Sequence, residues 1–326
     1  MSEATPIGVL VMAYGTASGP DDIERYYTDI RGGRPPSREH LAELKERYAA
    51  IGNVFPLLET TRAQAEGLVE RLNADAVGRT YRAYLGMKHS DPFISEGLRQ
   101  MREDGIQDAI GIVMAPHWSG MSVETYIERI EQDVAASGGP AFSYVREYGS
   151  HPAFVRFLAS RVGEALDRLE EDVRADATVI FSAHSLPVRT LGDGTRRCLR
   201  CDCEPACRYG GGLRATADLV SAQLGGLPSI ATAWQSAGRT ADPWWGPPVE
   251  DVIKEQAKEG RRAVVVCSAG FVADHLEVLF DLDIEAKALA ADAGIAFSRT
   301  RMPNADPGYL DVLATVVRDH LAGVPA

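Results

Sequence analysis

The sequence is short of positive charge: 34 Lys and Arg stand against 46 Asp and Glu, a formal net charge of -12 at pH 7. Phosphate backbones are held by clustered Lys and Arg, so a nucleic acid is excluded as the expected partner. Long apolar runs are missing as well. No stretch reaches the roughly 18 to 20 apolar residues of a membrane span, and MSEATPIGVLVMAYGT has no basic segment ahead of its short apolar run. A cytoplasmic monomer is the expectation. Cysteine is scarce, five in 326 residues, and four of the five crowd into positions 198 to 207. That excludes the dispersed, even set of a secreted disulfide scaffold.

What is present is an alternation. Short runs rich in Val and Ile, at 7–15, 80–87, 109–116 and 142–148 and again at 177–185, 229–236, 261–270 and 294–300, are separated by segments of helical period. This is the pattern of βαβ units and buried parallel sheets, so the expected fold class is α/β with two similar Rossmann-like halves, each a four-stranded parallel sheet. Helices are expected at 38–51, 57–75, 92–104, 121–137, 152–172, 213–224, 247–259, 274–292 and 307–321. VMAYGT and FSAHSLP end the first strand of each half, and IVMAPHWSG and VVCSAGFVADH the third, a hint of internal duplication. The Gly, Arg and Cys-rich stretch 191–212 breaks the alternation and reads as a long loop and a functional insertion.

In parallel sheets ligands bind at the carboxyl ends of strands, so polar residues there carry the interest. His184 ends FSAHSLP, where it is either a packed, hydrogen-bonded residue or an imidazole placed to bind metal or take a proton. After the run 261–270, Glu277, Asp281 and Glu285 fall in one stripe at about 100° per residue. Like charges at that spacing destabilise a helix, so the stripe is either a solvated acidic face or a path for divalent cations. Tyr14 ends LVMAYGT and should face the same crevice. His89 and His117 also end strands and read as structural. Arg31, with Arg25, Tyr26, Tyr27 and Arg34, and then Arg47 and Tyr48, form a basic and aromatic group. Such a group suits the carboxylates of a flat aromatic ligand, or else pairs with Glu24, Asp29 and Glu46.

Taken together, LVMAYGT, ERYYTDIRGGRP, YLGMKH, APHWSGMSVETY, FSAHSLP, WQSAGRTADPWWGP and GFVADHLEVLFD resemble the ferrochelatases, most closely the monoderm bacterial type that acts on coproporphyrin III. The resemblance runs in order from about residue 7 to residue 321. It implies the chelatase fold, with one domain at 1–149 plus a returning helix at 305–326, and a second at 150–304 carrying the insertion 191–212. It implies Fe(II) insertion into a porphyrin in haem biosynthesis, on coproporphyrin III or else protoporphyrin IX; a non-catalytic iron-sulfur or haem-binding module on the same fold is the other reading. Position by position, His184 and Glu277 match the pair that handles metal and protons, and Tyr14 the residue on the opposite porphyrin face. Asp281 and Glu285 match the acidic track. Arg31, Arg47, Tyr48 and Tyr126 match contacts to the porphyrin or its propionates. Gly32 and Phe55 depart from the pattern, standing where relatives often carry Arg and Ser.

Cys198, Cys201, Cys203 and Cys207 form CxxCxCxxxC. Four thiolates this close repel unless protonated or metal-bound, and Arg196, Arg197, Arg200 and Arg208 would offset the charge of a thiolate-ligated cluster. Zinc is the competitor, though structural zinc generally uses two separated CxxC knuckles. Some ferrochelatases carry a 2Fe-2S cluster, which the resemblance extends to these four cysteines. Cys267, in VVVCSAG, reads as a buried small apolar residue.

Overall fold

The structure, a computed structural model, describes residues 5–323 apart from 75, 77, 202, 204–206 and 239. The end of the helix expected at 57–75 and part of the insertion 191–212 therefore lie outside the described residues.

The eight apolar runs are the eight strands of two parallel sheets. The first half contributes β1 (Ile7–Ala13), β2 (Tyr81–Met87), β3 (Asp108–Val113) and β4 (Ala141–Val145), ordered β2-β1-β3-β4. The second contributes β5 (Ala177–His184), then, beyond a small hairpin of β6 (Val188–Thr190) and β7 (Arg196–Cys198), β8 (Ile230–Gln235), β9 (Ala263–Cys267) and β10 (Ala296–Arg299). Its order is β10-β9-β5-β8. Read by position in the half, both sheets run second-first-third-fourth, so the hint of duplication returns as identical topology. β1 and β5 are equivalent central strands, flanked on both sides and buried along almost their whole length, which is why they read as continuous apolar runs.

The helices Leu57–Ala74, Pro152–Leu166, Arg208–Gln223 and Pro307–Leu321 lie between the sheets and share one core with both: Val9, Val11, Val179 and Phe181 belong to the same cluster as Leu68, Leu158, Leu213 and Leu313. Ile94–Glu103 and Val123–Ser137 cover the outer face of the first sheet, and Val249–Lys258 and Leu276–Asp292 that of the second. The last helix starts on an Asp306 cap, with the side chain accepting from the Gly308 N–H, and has Pro307 in its first turn. It packs on Leu57–Ala74, where Arg71 reaches Asp311 and the Pro307 carbonyl.

Three local expectations change. The helix Ile23–Ile30 was hidden by its Arg and Tyr content. The insertion is not simply a loop: its start pairs as the β6–β7 hairpin, and the expected helix 213–224 begins five residues earlier, at Arg208. The stretch 152–172 breaks after Leu166 and resumes as the short turn Glu171–Arg174.

Candidate active site

The carboxyl ends of β1 and β5, and the segment after β9, meet in a cleft between the halves. Gly270 makes the approach possible: a Cβ there would lie 2.4 Å from the Ala183 Cβ, so only glycine lets the chain leaving β9 cross against the end of β5. Glu277 then falls in the first turn of Leu276–Leu279, with its Oε1 3.5 Å from His184 Nε2 and its Oε2 3.5 Å from His275 Nε2. A carboxylate is thus flanked by two imidazoles. The His184 and Glu277 side chains keep 33% and 29% of their surface open, so the group is set deep yet reachable.

Electrostatics follow from that triad. Burial works against charge on His184 and His275, but the Glu277 carboxylate prevails and raises both imidazoles above their ordinary value. Burial likewise opposes the Glu277 charge, and the two histidines overcome it, holding the carboxyl far below its usual range. The backbone of Glu277 is braced by Gln235, whose Nε2 donates to the Glu277 carbonyl at 3.4 Å while its Oε1 accepts from Ser182 and Ser268 at 2.8 and 2.9 Å. One buried amide therefore ties β5, β8 and the end of β9 to the site.

Across the cleft Tyr14, directly after β1, stands with 43% of its surface exposed and its ring 4.6 Å from that of His89. Its phenol is pushed up by burial and then by the charge of Glu277 opposite. His89 is held by Asp29 at 2.7 Å and, chiefly through burial, is pushed down to about 4, so it is a neutral support for Tyr14. Lys88 lies 5.1 Å from the Tyr126 ring and donates to Thr125. Tyr126 and Tyr48 are themselves buried, Tyr48 stacked on Phe55 at 4.6 Å. Arg31 is exposed at the end of Ile23–Ile30, near Tyr27.

The acidic stripe is not a uniform α-helical face. Residues Asp281–Ala286 form a wider π turn, with the Glu285 N–H bonded to the Phe280 carbonyl at 3.0 Å. Such turns gather at functional positions because they reset the angle at which side chains project. Here Asp281 is buried, bound by Arg47 and Ser236, while Glu285 is exposed. Burial, opposed by Arg47, pushes the Asp281 carboxyl up to about 6. Arg47 and Asp281, taken from the sequence as contacts to different substrates, are joined to each other.

The sulfur pocket lies behind His184. Cys198 and Cys207 are buried with their sulfurs 3.5 Å apart, and the Trp245 indole N–H points at Cys198 Sγ from 3.2 Å. Cys207 caps the helix Arg208–Gln223. Cys201 and Cys203 are joined as a disulfide, so the four sulfurs do not stand as equivalent ligands, and among the described residues no three His, Cys, Asp or Glu side chains are arranged to hold a metal ion. Cys267 is buried in β9 as a small apolar residue. A cavity of about 800 Å³ on the far side of the π turn holds none of the cleft residues. Its Arg161 and Arg299 are already paired with Asp306 and Asp283, and Arg168 with the Arg299 carbonyl.

His275 and Gln235 were not singled out in the sequence. His275 stands two residues before Glu277 in GFVADHLE, and that His-x-Glu spacing at a strand-to-helix turn was the available signal. Gln235 gives none, since a glutamine ending a strand is ordinary. Among the described residues no helix is long and apolar enough to cross a membrane.

Residues 6–321 match the ferrochelatase family profile. The chain is 45% identical over 316 residues to the coproporphyrin III ferrochelatase of Anoxybacillus flavithermus, covering 97% of this chain and 96% of that one. It is 42% identical over 314 residues to the coproporphyrin III ferrochelatase of Bacillus subtilis, covering 95% and 96%. Among solved structures, SirB from Bacillus subtilis with Fe3+ superposes with a TM-score of 0.58 at 12% identity over 98% of this chain and 96% of that one. The cobalt complex of the sirohydrochlorin chelatase SirB gives 0.55 at 11% identity over 96% and 94%. These structural matches show the chelatase fold.

Proposed function

The chain belongs to the ferrochelatase family, and from that premise we propose that it inserts Fe(II) into coproporphyrin III, with His184 and Glu277 handling metal and protons. The observation that carries the reading is the 3.5 Å approach of the His184 imidazole to the Glu277 carboxylate at the foot of a cleft whose other wall bears Tyr14. Metalation requires two pyrrole protons to leave, the ring to distort and the iron to lose its water. A carboxylate between two imidazoles can replace water ligands and accept protons in turn. The cleft, with Tyr14 on one face and His184 on the other, is suited to gripping a flat ring and bending it.

In this reading Asp281 and Glu285 lead the cation inward, and Arg31, Arg47, Tyr48 and Tyr126 act on the porphyrin side. Arg47 then lies between the two substrates, since it already neutralises Asp281. The packing of Pro307–Leu321 on Leu57–Ala74 supports a first domain of 1–149 plus 305–326 and a second of 150–304. In a strictly anaerobic assay His184→Ala and Glu277→Gln are each expected to abolish metalation while fluorescence titration shows the porphyrin still bound. Normal turnover in both variants would remove the pair from the mechanism.

We propose further that, once the Cys201–Cys203 disulfide is reduced, Cys198, Cys201, Cys203 and Cys207 would hold a 2Fe-2S cluster; three of the four are buried, and the Trp245 N–H addresses one sulfur. Such a cluster supplies one-electron redox chemistry. Protein purified without oxygen is then expected to carry iron with acid-labile sulfide and absorbance bands between about 400 and 600 nm. A colourless, zinc-containing preparation contradicts it.

A further inference from the structure

We propose that Tyr209 and Trp245 are positioning residues that tie His184 to the cysteine pocket, so that the state of the sulfurs sets where the imidazole stands. The proposal rests on the reading of His184 as a metalation residue.

His184 is the last residue of β5, where ladder support ends. Its carbonyl accepts a hydrogen bond from the Tyr209 hydroxyl at 2.8 Å. The next residue, Ser185, donates its hydroxyl to the Trp245 carbonyl at 2.7 Å, and the Trp245 N–H donates to the Leu186 carbonyl at 3.0 Å. The turn that aims the imidazole is held from its own sheet by the Ser185 N–H donating to the Gln235 carbonyl at 2.7 Å, and from outside that sheet by Tyr209 and Trp245. Both lead to sulfur. The Trp245 indole N–H is bonded to Cys198 Sγ, and Tyr209 lies in the first turn of the helix that Cys207 caps. The two arms are locked together: Trp234 stacks on Trp245 at 5.3 Å and meets Tyr209 at 5.4 Å.

A half-buried indole donor follows its acceptor, because leaving it unmatched has a cost. When a metal is bound at Cys198, its thiol proton leaves to solvent and the strength and direction of the sulfur as acceptor for the Trp245 N–H change. Trp245 must then shift, carrying Ser185 with it. Cys207 directly precedes the helix that carries Tyr209, so a displacement of Cys207 moves Tyr209 against the His184 carbonyl. Tyr209 and Trp245 reach the site through the backbone of His184 to Leu186, so the metalating group is what they move.

The test uses the full-length protein with carbon-13 in its histidine rings and the His184 signal assigned through His184→Gln. Tyr209→Phe, Trp245→Phe and Cys198→Ala are compared with the parent by ring spectra and by anaerobic coproporphyrin metalation. Each variant is expected to move the His184 resonance, and Tyr209→Phe to lower kcat about 2- to 10-fold, the range for one lost hydrogen bond, with the porphyrin KM within about twofold. Tyr209→Phe keeps the ring packed on Trp234, so it tests the tie without disturbing the fold. Trp245→Phe and Cys198→Ala combined should move the resonance no further than either alone, because both break one chain of contacts. An unmoved His184 signal in Tyr209→Phe and Trp245→Phe overturns the proposal, as does additivity in the double variant. The spectra need no turnover, so this failure is separate from a failure of metalation itself.

Discussion

At the scale of single residues, the His184, Glu277 and His275 group makes a pH-dependent contribution to stability. The two imidazoles are raised above their ordinary 6.5, burial opposing and Glu277 prevailing; this contribution is complete below 6.5 and is lost as pH rises through the raised values. The Glu277 carboxyl is lowered from its ordinary 4.5, so its contribution is present above 4.5 and lost only as pH falls well below. Both are in force together between 4.5 and 6.5. Thermal unfolding should therefore favour the parent over Glu277→Gln most near about pH 5.5, with the gap in Tm narrowing towards about pH 9. A gap that widens on the alkaline side contradicts the arrangement. His184 stood out because a polar residue ending a buried run is conspicuous, and Glu277 because it opens a carboxylate stripe at helical spacing; their proposed roles came from the resemblance. The link between Arg47 and Asp281, 234 residues apart, was not legible, because no local pattern encodes a contact between halves.

At the scale of elements, the strands could be read almost to the residue, since central strands of a parallel sheet must be apolar on both faces. Helix starts were harder. Gly210, Gly211 and Gly212 read as loop, yet they lie in the first turns of the helix, where Gly210 faces the Trp245 ring and Gly212 faces His117. The π turn at Asp281–Ala286 was invisible, as one extra residue in a turn leaves no mark on apolar spacing. The same limit hid the clamp on the insertion. Arg200 pairs with Glu128 and Arg208 with Glu147, fastening the cysteine segment to the first half. A Cβ on Gly120 would meet the Arg200 carbonyl oxygen at 1.8 Å, with backbone on both sides. Gly120→Ala is expected to cost about 1–3 kcal/mol by overpacking. It should also open the stretch 191–212 to limited proteolysis, whereas unchanged Tm and cleavage would show that the clamp is slack.

At the scale of the whole molecule, two sheets of identical order place Tyr14 and His184 at the ends of equivalent strands, β1 and β5, so the repeated topology puts one of the two on each half. The halves are held by a shared interior, to which the last helix contributes Leu310, Leu313 and Val317 beside the Tyr148–Tyr309 hydroxyl contact. Leu313 is fully buried there, and Leu313→Ala is expected to lose about 2–5 kcal/mol in denaturant unfolding. A loss under about 1 kcal/mol would mean that the helix is peripheral to the core. The most direct measurement is an anaerobic visible-absorbance assay in which Fe(II) is offered with coproporphyrin III or with protoporphyrin IX. Rapid metalation of coproporphyrin III, slow or absent with protoporphyrin IX and abolished in Glu277→Gln, is the predicted result. No metalation of either porphyrin by the intact protein, or clear preference for protoporphyrin IX, would contradict it.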